Sequence, residues 1–320
     1  MDYMKSKIMT MDKAIKEFVR DGDVVYLGGF IQHEPYAAIH EIIRQRKKGL
    51  TGSSCAGMIA LDQLIGAGCL DRVITTYTWN PLPKPAHAFR RCLEKGIPHD
   101  VKIEEYSILA LTLSYFAGAL DLPFVATKTL MGSDLAKNSS FLGDNKLKTI
   151  ESPFNGEKVC LIPPLKHDIG IIQVQRADSI GNAQAWGVMG DSKYGINSCS
   201  RVIICAEEIV NTEVIKRDPG RTIIPGFKVS AVVEEPWGSH PSYVTGCYDM
   251  DWRYFSFYDK ATETLDGFEN YLKEWVYDIK DRSEYIKKID KKNLDVLKPK
   301  PWSGNPVDYG YCAQYQEDYL

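Results

Sequence analysis

Apolar runs of strand length recur along this chain with segments of helical period between them, and that alternation is the tightest constraint on its fold. Successive parallel strands need a crossover, so strand and helix signals must take turns. "VVYL" (Val24 to Leu27) follows the turn-forming Asp21-Gly22-Asp23 and ends on Gly28-Gly29, reading as a strand buried on both faces. Before it, Met11, Ala14, Ile15, Phe18 and Val19 repeat at helical spacing behind Thr10, which is placed to cap them. After it, "PYAAIHEIIRQRKKG" sets Ile39, Ile42 and Ile43 on one helical face, with Pro35 at the entry, Arg44, Arg46, Lys47 and Lys48 at the closing end and Gly49 just beyond. "TGSSCAGM" reads as a small-residue loop. "DRVITTYTWN" predicts a second strand through Val73, Ile74 and Tyr77, and "AHAFRRCLEKG" a short helix stopping at Gly96.

Residues 107–120, "SILALTLSYFAGAL", are apolar enough for a helix packed on several sides, and "DLPFVATKTL" returns to strand. "EKVCLIPPL", "DIGIIQVQ", "RVIICAEEIV" and "VSAVVEEP" are further β-rich runs separated by turn signals. The expected class is α/β, a largely parallel sheet covered by helices. The polar stretch "NSSFLGDNKLKTIESPFNGEK" marks either an internal seam or one long surface loop. Leu265, Phe268, Leu272, Trp275 and Ile279 lay one apolar stripe along a helix docked on its own sheet. Residues 1–297 therefore read as one α/β domain. Residues 298–320, rich in Trp302, Tyr309, Tyr311, Tyr315 and Tyr319, read as a tail lying across its own or a partner's surface.

At 320 residues and 44% hydrophobic, the chain can bury a sizeable core. A formal net charge of −3 gives no electrostatic reason to expect nucleic acid or an anionic membrane as partner. No apolar run approaches a membrane span, and the first residues carry no signal-type apolar segment, so the expected place is the cytoplasm. Eight cysteines sit far apart with no metal-ligand spacing, which predicts reduced structural thiols and no metal; Cys55 is the one with a loop context that suits a nucleophile.

Self-sufficient catalytic motifs are missing: no H-E-x-x-H, no G-x-S-x-G, no kinase set and no phosphate-binding glycine fingerprint. Any of the six histidines could supply a general base. The carboxylate pairs are more specific. Glu104-Glu105 precede a helix and suit its exposed N–H groups, while Glu207-Glu208 and Glu234-Glu235 close apolar strands, where α/β sheets gather ligands. Gly28-Gly29 suit either a tight strand-to-helix turn or the close approach of a ligand. By themselves the residues favour the turn.

Taken together, "DGDVVYLGGF", "PYAAIHEIIRQ", "IEEYSILALTLSYFAGALDLPF", "HDIGIIQVQRADSIGNAQAWG", "RVIICAEEIV" with "IKRDP", and "VSAVVEEPWGSHPS" resemble the α subunit of family I CoA-transferases of the glutaconate type. The likeness runs from about Met9 to Leu297 and includes "YLKEWVYDIKD". It implies a β-subunit partner in an αβ heterodimer or higher heteromer, an active site between the two, and a nucleophilic glutamate on the β subunit. No catalytic residue is then expected in this chain. It implies no tightly bound cofactor, coenzyme A thioester and carboxylic acid as substrates, and a dicarboxylic or hydroxy-acid acyl group such as glutaconate.

On that resemblance Gly28, Gly29 and Phe30 line the acyl pocket, with backbone N–H groups for a thioester oxyanion. Gln32 and His33 contact the acyl group, and Ser53, Ser54, Thr78 and Asn80 line the same cleft. The stretch Ile31-Gln32-His33-Glu34-Pro35 lacks a glycine that many relatives carry before the proline. A second implied reading is a hydrolase like the steroid-ring-opening enzymes, with Glu105 as the working acid. A third is a non-catalytic subunit that only binds a CoA ester.

Overall fold

The computed structural model describes residues 5–299; residues 300–320, and with them the aromatic side chains of the expected tail, lie outside the described residues. Strands β1 Val24–Leu27, β2 Leu50–Gly57, β3 Leu70–Thr78, β4 Lys102–Glu105, β5 Val125–Thr127, β6 Lys148–Glu151, β7 Lys158–Ile162, β8 His167–Asp178, β9 Ala183–Gln184, β10 Cys199–Val210, β11 Thr222–Ile224 and β12 Ala231–Glu234 alternate with helices α1 Met11–Phe18, α2 Tyr36–Arg44, α3 Ile59–Gly66, α4 His87–Lys95 and α5 Ile108–Ala119, and with further helices from Trp252 to Leu297. Seven strands pair in parallel in the order β12-β10-β8-β1-β2-β3-β4. The expected α/β class with a parallel sheet holds. Past the end of β1, the short antiparallel β9 takes its place beside β8 at Arg176 and Ala177.

Two-sided burial explains the apolar runs. In β1, Val25 and Leu27 join the core beneath α1, α2, α3 and the C-terminal helices, while Tyr26 points to the opposite core with Tyr115 of α5. The second strand in space and sequence is "LTGSSCAG", buried throughout, and not the loop expected from its composition. Its glycines are there because neighbours crowd it: a Cβ on Gly57 would stand 2.1 Å from Leu61 Cδ1, and one on Gly52 3.0 Å from Leu70 Cδ1. Low strand propensity hid this strand, and α3 behind it was not signalled.

Other expectations are corrected. Helix α2 stops at Arg44, and Arg46 turns to φ 53° while Lys47 Nζ donates to Val19 O at 2.6 Å; the basic cluster is a tie between elements as much as a helix end. The polar stretch after Asn138 is neither seam nor plain loop, since Lys148–Glu151 and Lys158–Ile162 form a hairpin that β5 extends into a separate antiparallel sheet. Helix α5 is capped by Ser107, whose hydroxyl accepts from Ala110 N, but Ile108, Leu109 and Leu120 remain exposed, so it is not covered on several sides within the chain. The C-terminal stripe breaks into the helix Leu265–Leu272 and a π-helical turn Lys273–Tyr277. One extra residue per turn rotates the pattern, burying Val276 and leaving Trp275 partly covered.

Glu104 is the largest correction. It ends no loop before a helix; it is wholly buried in the edge strand β4. Its carboxylate accepts from Ser139 Oγ at 2.8 Å and from Ser140, Phe141 and Leu142 N–H at 3.0, 3.1 and 3.2 Å, and pairs with Lys146 Nζ at 2.9 Å. Burial raises its pKa, but Lys146 and these donors outweigh burial and hold it below the ordinary value of 4.5. Replacing Lys146 by alanine should cost about 3–5 kcal/mol, the scale for stranding one member of a buried ion pair. Urea unfolding at neutral pH would show it. A depressed carboxyl stabilises the fold above its unfolded value and loses that contribution as pH falls through the folded value, so the gap between wild type and variant should narrow below about pH 4.5.

Candidate active site

The C-terminal ends of β1, β2 and β3 lie side by side in mid-sheet, the place where parallel α/β sheets present ligand-binding loops. Gly28 N donates to Ile171 O at 2.7 Å, carrying the β1–β8 ladder one residue beyond the strand. A Cβ there would stand 2.6 Å from Ile172 Cβ. At Gly29 φ is +102°, and a Cβ would fall 2.3 Å from Gln32 O and 2.7 Å from Glu34 N. What comes too close for a side chain is therefore the chain's own loop. Both glycines are accounted for by the turn, and the Gly29 N–H forms no hydrogen bond among the described residues.

The loop is strained and pinned. Ile31 and His33 hold φ of 72° and 64°, a conformation that non-glycine residues keep only where their surroundings impose it. His33 N donates to Tyr243 O at 3.2 Å, Gln173 N to His33 O at 3.0 Å, Ser239 Oγ to Glu34 O at 2.7 Å, and Ala37 N to Gly238 O at 2.9 Å. Gln32 is buried, its amide donating to Val188 O and accepting from Thr245 Oγ1 at 2.6 Å. His33 Nε2 lies 3.2 Å from Trp186 O, and burial lowers its pKa to about 4, so the ring is neutral and donates there. These two side chains bind the loop to the 186–188 segment. Phe30 is half-buried against Gly190.

Of the four cleft residues expected with the turn, the structure brings one to it. Ser54 lines a narrow pocket of about 190 Å³ with Leu27, Gly28, Glu34, Pro35, Ala60 and Leu61. Ser53 faces the other side of the sheet and shares a 2.8 Å hydrogen bond with Tyr115 OH. Thr78 ends β3 with a buried hydroxyl that has no partner among the described residues. Asn80 Oδ1 accepts from Leu82 N at 3.2 Å, shaping its own turn. Glu105 is exposed at the last residue of β4, three strand spacings or about 14 Å from β1.

Among the remaining candidates, Glu207 accepts from Gln173 Nε2 at 2.6 Å, Tyr248 OH at 2.7 Å and Trp237 N at 2.7 Å, a structural anchor. Glu235 lines a separate groove with Glu41, Arg44 and Arg282, while Glu208 and Glu234 are exposed. Cys55 is fully buried near Thr112, and burial pushes its thiol far up, so it is inert. His33, His40, His167 and His240 are all buried, and burial keeps them neutral. Among the described residues no three His, Cys, Asp or Glu side chains group as metal ligands.

One residue escaped the sequence reading. Glu34, 3% exposed, accepts from Tyr36 OH at 2.9 Å, and burial raises its pKa to about 8. The available signal was a carboxylate directly before Pro35 in a loop otherwise leading into an apolar helix.

Comparison with known proteins bears on this geometry. Residues 8–235 match the family described as Coenzyme A transferase. One of the two kinds of chain in the glutaconate CoA-transferase of Acidaminococcus fermentans is 37% identical over 95% of this chain and 98% of its own length, and the corresponding chain of the 3-oxoadipate CoA-transferase of Pseudomonas knackmussii is 36% identical over 89% and 98%. The crystal structure of the Acidaminococcus fermentans glutaconate coenzyme A-transferase superposes with a TM-score of 0.88 at 35% identity, covering 97% of this chain and 99% of that one.

Gly29→Ala should cost at least about 2 kcal/mol, because backbone strain and a backbone collision add. Gly132, with φ +79° and open space around it, is the control, and its alanine variant should lose about 1 kcal/mol from strain alone. Thermal melts of the two would separate collision from conformation; equal losses would remove the collision.

Proposed function

The chain belongs to the coenzyme A transferase family as its α-type subunit, and from that premise we propose that it forms half of an active site that moves CoA between an acyl-CoA and a carboxylic acid of the dicarboxylic or hydroxy-acid class, with glutaconate as the type. A β-type partner supplies the nucleophilic glutamate. No tightly bound cofactor takes part, and the complex works in the cytoplasm, where the seven described cysteines, all free, stay reduced.

The observation that supports this reading most is the glycine turn at the end of β1, with the unpaired Gly29 N–H beside Gly28, Phe30 and the Ser54 pocket. The partner's carboxylate attacks the thioester carbonyl carbon, and negative charge grows on the carbonyl oxygen. A fixed N–H in a water-poor cleft stabilises that charge without reorganising, an effect worth about 3–4 kcal/mol per donor. The C–S bond then breaks, giving an acyl-glutamyl anhydride and CoA thiolate. Thiolate attack on the glutamyl carbonyl releases the first carboxylate and leaves a glutamyl-CoA thioester, which the acceptor carboxylate resolves. Gln32 and His33 set the loop's shape; Ser54, and with it Thr78, Asn80 and Ser53 around the strand ends, set the cleft.

Two outcomes test this. The isolated chain should transfer no CoA, the reconstituted pair should, and borohydride trapping with acyl-CoA should mark the partner; labelling of this chain would reverse the assignment. The place of Glu105 at the C-terminal end of β4 supports the hydrolase reading as the alternative. Under the transferase reading Glu105→Gln leaves turnover nearly unchanged, whereas a general acid or base lost at that position costs about 10²–10⁴-fold with unchanged melting temperature.

A further inference from the structure

Glu34 stands where the glycine turn, the strand end of β2 and the start of α2 meet, and the CoA-transfer mechanism above leaves it without a task. Its neighbours in the narrow pocket are Leu27, Gly28, Pro35, Ser54, Ala60 and Leu61, none of which carries charge. Tyr36 OH, from α2, donates to one carboxyl oxygen at 2.9 Å. Ser242 stands beside it with a buried hydroxyl that makes no hydrogen bond among the described residues. The titratable groups that sense its charge are Tyr36, Tyr77 of β3 and Tyr243 of the 237–248 segment, and no cation acts on it. A carboxylate in such surroundings is costly, whereas a neutral acid with one oxygen already served by Tyr36 keeps an O–H for the pocket.

We propose that Glu34 is a specificity-determining residue of the acyl pocket: as a neutral carboxylic acid it donates a hydrogen bond to an oxygen on the acyl chain, so the pocket takes a hydroxyl-, keto- or carboxylate-bearing acyl group in preference to a plain alkyl one. This rests on the CoA-transfer reading and narrows its substrate class. The raised pKa of about 8 sets the expected pH window. An acid raised in this way is protonated below that value, so the donor is present at neutral pH and is lost as pH rises through it. Ionised Glu34 would face a substrate oxygen lone pair to lone pair, and an acyl carboxylate charge to charge.

The test uses the complex with its β-type partner, measuring kcat/KM for butyryl-CoA, 3-hydroxybutyryl-CoA and glutaryl-CoA from about pH 6 to 10. Wild type should favour the two oxygen-bearing esters by about tenfold or more, the worth of one hydrogen bond in a closed site, and lose that preference through about pH 8. Glu34→Gln keeps an N–H donor at every pH, so it should retain the preference with no alkaline fall. Glu34→Met should lose the preference with little change towards butyryl-CoA. Unchanged discrimination in Glu34→Met, or the same alkaline fall in Glu34→Gln, overturns the proposal. Infrared difference spectra of wild type against Glu34→Gln give a readout independent of turnover: a protonated carboxyl at pH 7 supports it and an ionised one overturns it. If no ester is turned over by the wild-type complex, the CoA-transfer reading fails, and the spectra still decide the state of Glu34.

Discussion

Three hydrogen bonds converge on the Glu207 carboxylate, and the shape of the candidate site hangs from them. Gln173 brings β8, Trp237 N brings the segment leaving β12, and Tyr248 OH brings the far end of that segment. The ring of Trp237 stacks on Tyr248 at 4.3 Å, closing the loop on itself. Held in this way, the segment offers Gly238 O, Ser239 Oγ and Tyr243 O to the loop after β1. Without that support, positive φ at both Ile31 and His33 would relax, since each costs about 1–3 kcal/mol and persists only when its surroundings over-determine it. A carboxylate on one strand thereby fixes a turn two strands away.

The sheet supplies the rest of the rigidity. Because β8, β10, β1 and β2 are covered on both faces, their backbone groups pair with each other instead of water, and the strand ends cannot fray independently. The small residues of β2 let Leu61 and Leu70 pack directly onto the strand. That close approach narrows the pocket at Gly28 and Ser54, so the dimensions of the site follow from packing one layer below it. At the edge the Glu104 ion pair performs the corresponding task for the chain crossing from β4 to the hairpin. Polar groups inside this protein are spent on holding loops, with hydrogen bonds sufficient to offset their desolvation.

Family chemistry fits this distribution of labour. A half-site that contributes backbone donors and a shaped cleft needs stiffness more than reactive side chains, and the buried, neutral histidines and high-pKa thiols are consistent with that. Here Glu34 stands apart, a carboxyl that faces the pocket with no cation beside it among the described residues.

What the sequence determined by itself was the alternation of strand and helix, the parallel class, β1 and its glycine turn, the caps at Ser107 and Gly96, and the family likeness. These are local or near-local signals: apolar runs, helical spacing and glycine chemistry are written residue by residue. The tertiary structure decided the remainder. "LTGSSCAG" is a strand because its neighbours bury it, Glu104 is an ion-pair partner because Lys146, forty-two positions on, folds back to it, and Ser53 and Ser54 part company because adjacent strand residues face opposite sides. Gln32 and His33 turned inward because the 186–188 and 245 segments offer them partners that no sequence spacing announces. Burial and long-range hydrogen bonding depend on which segments meet, and only the folded chain brings them together.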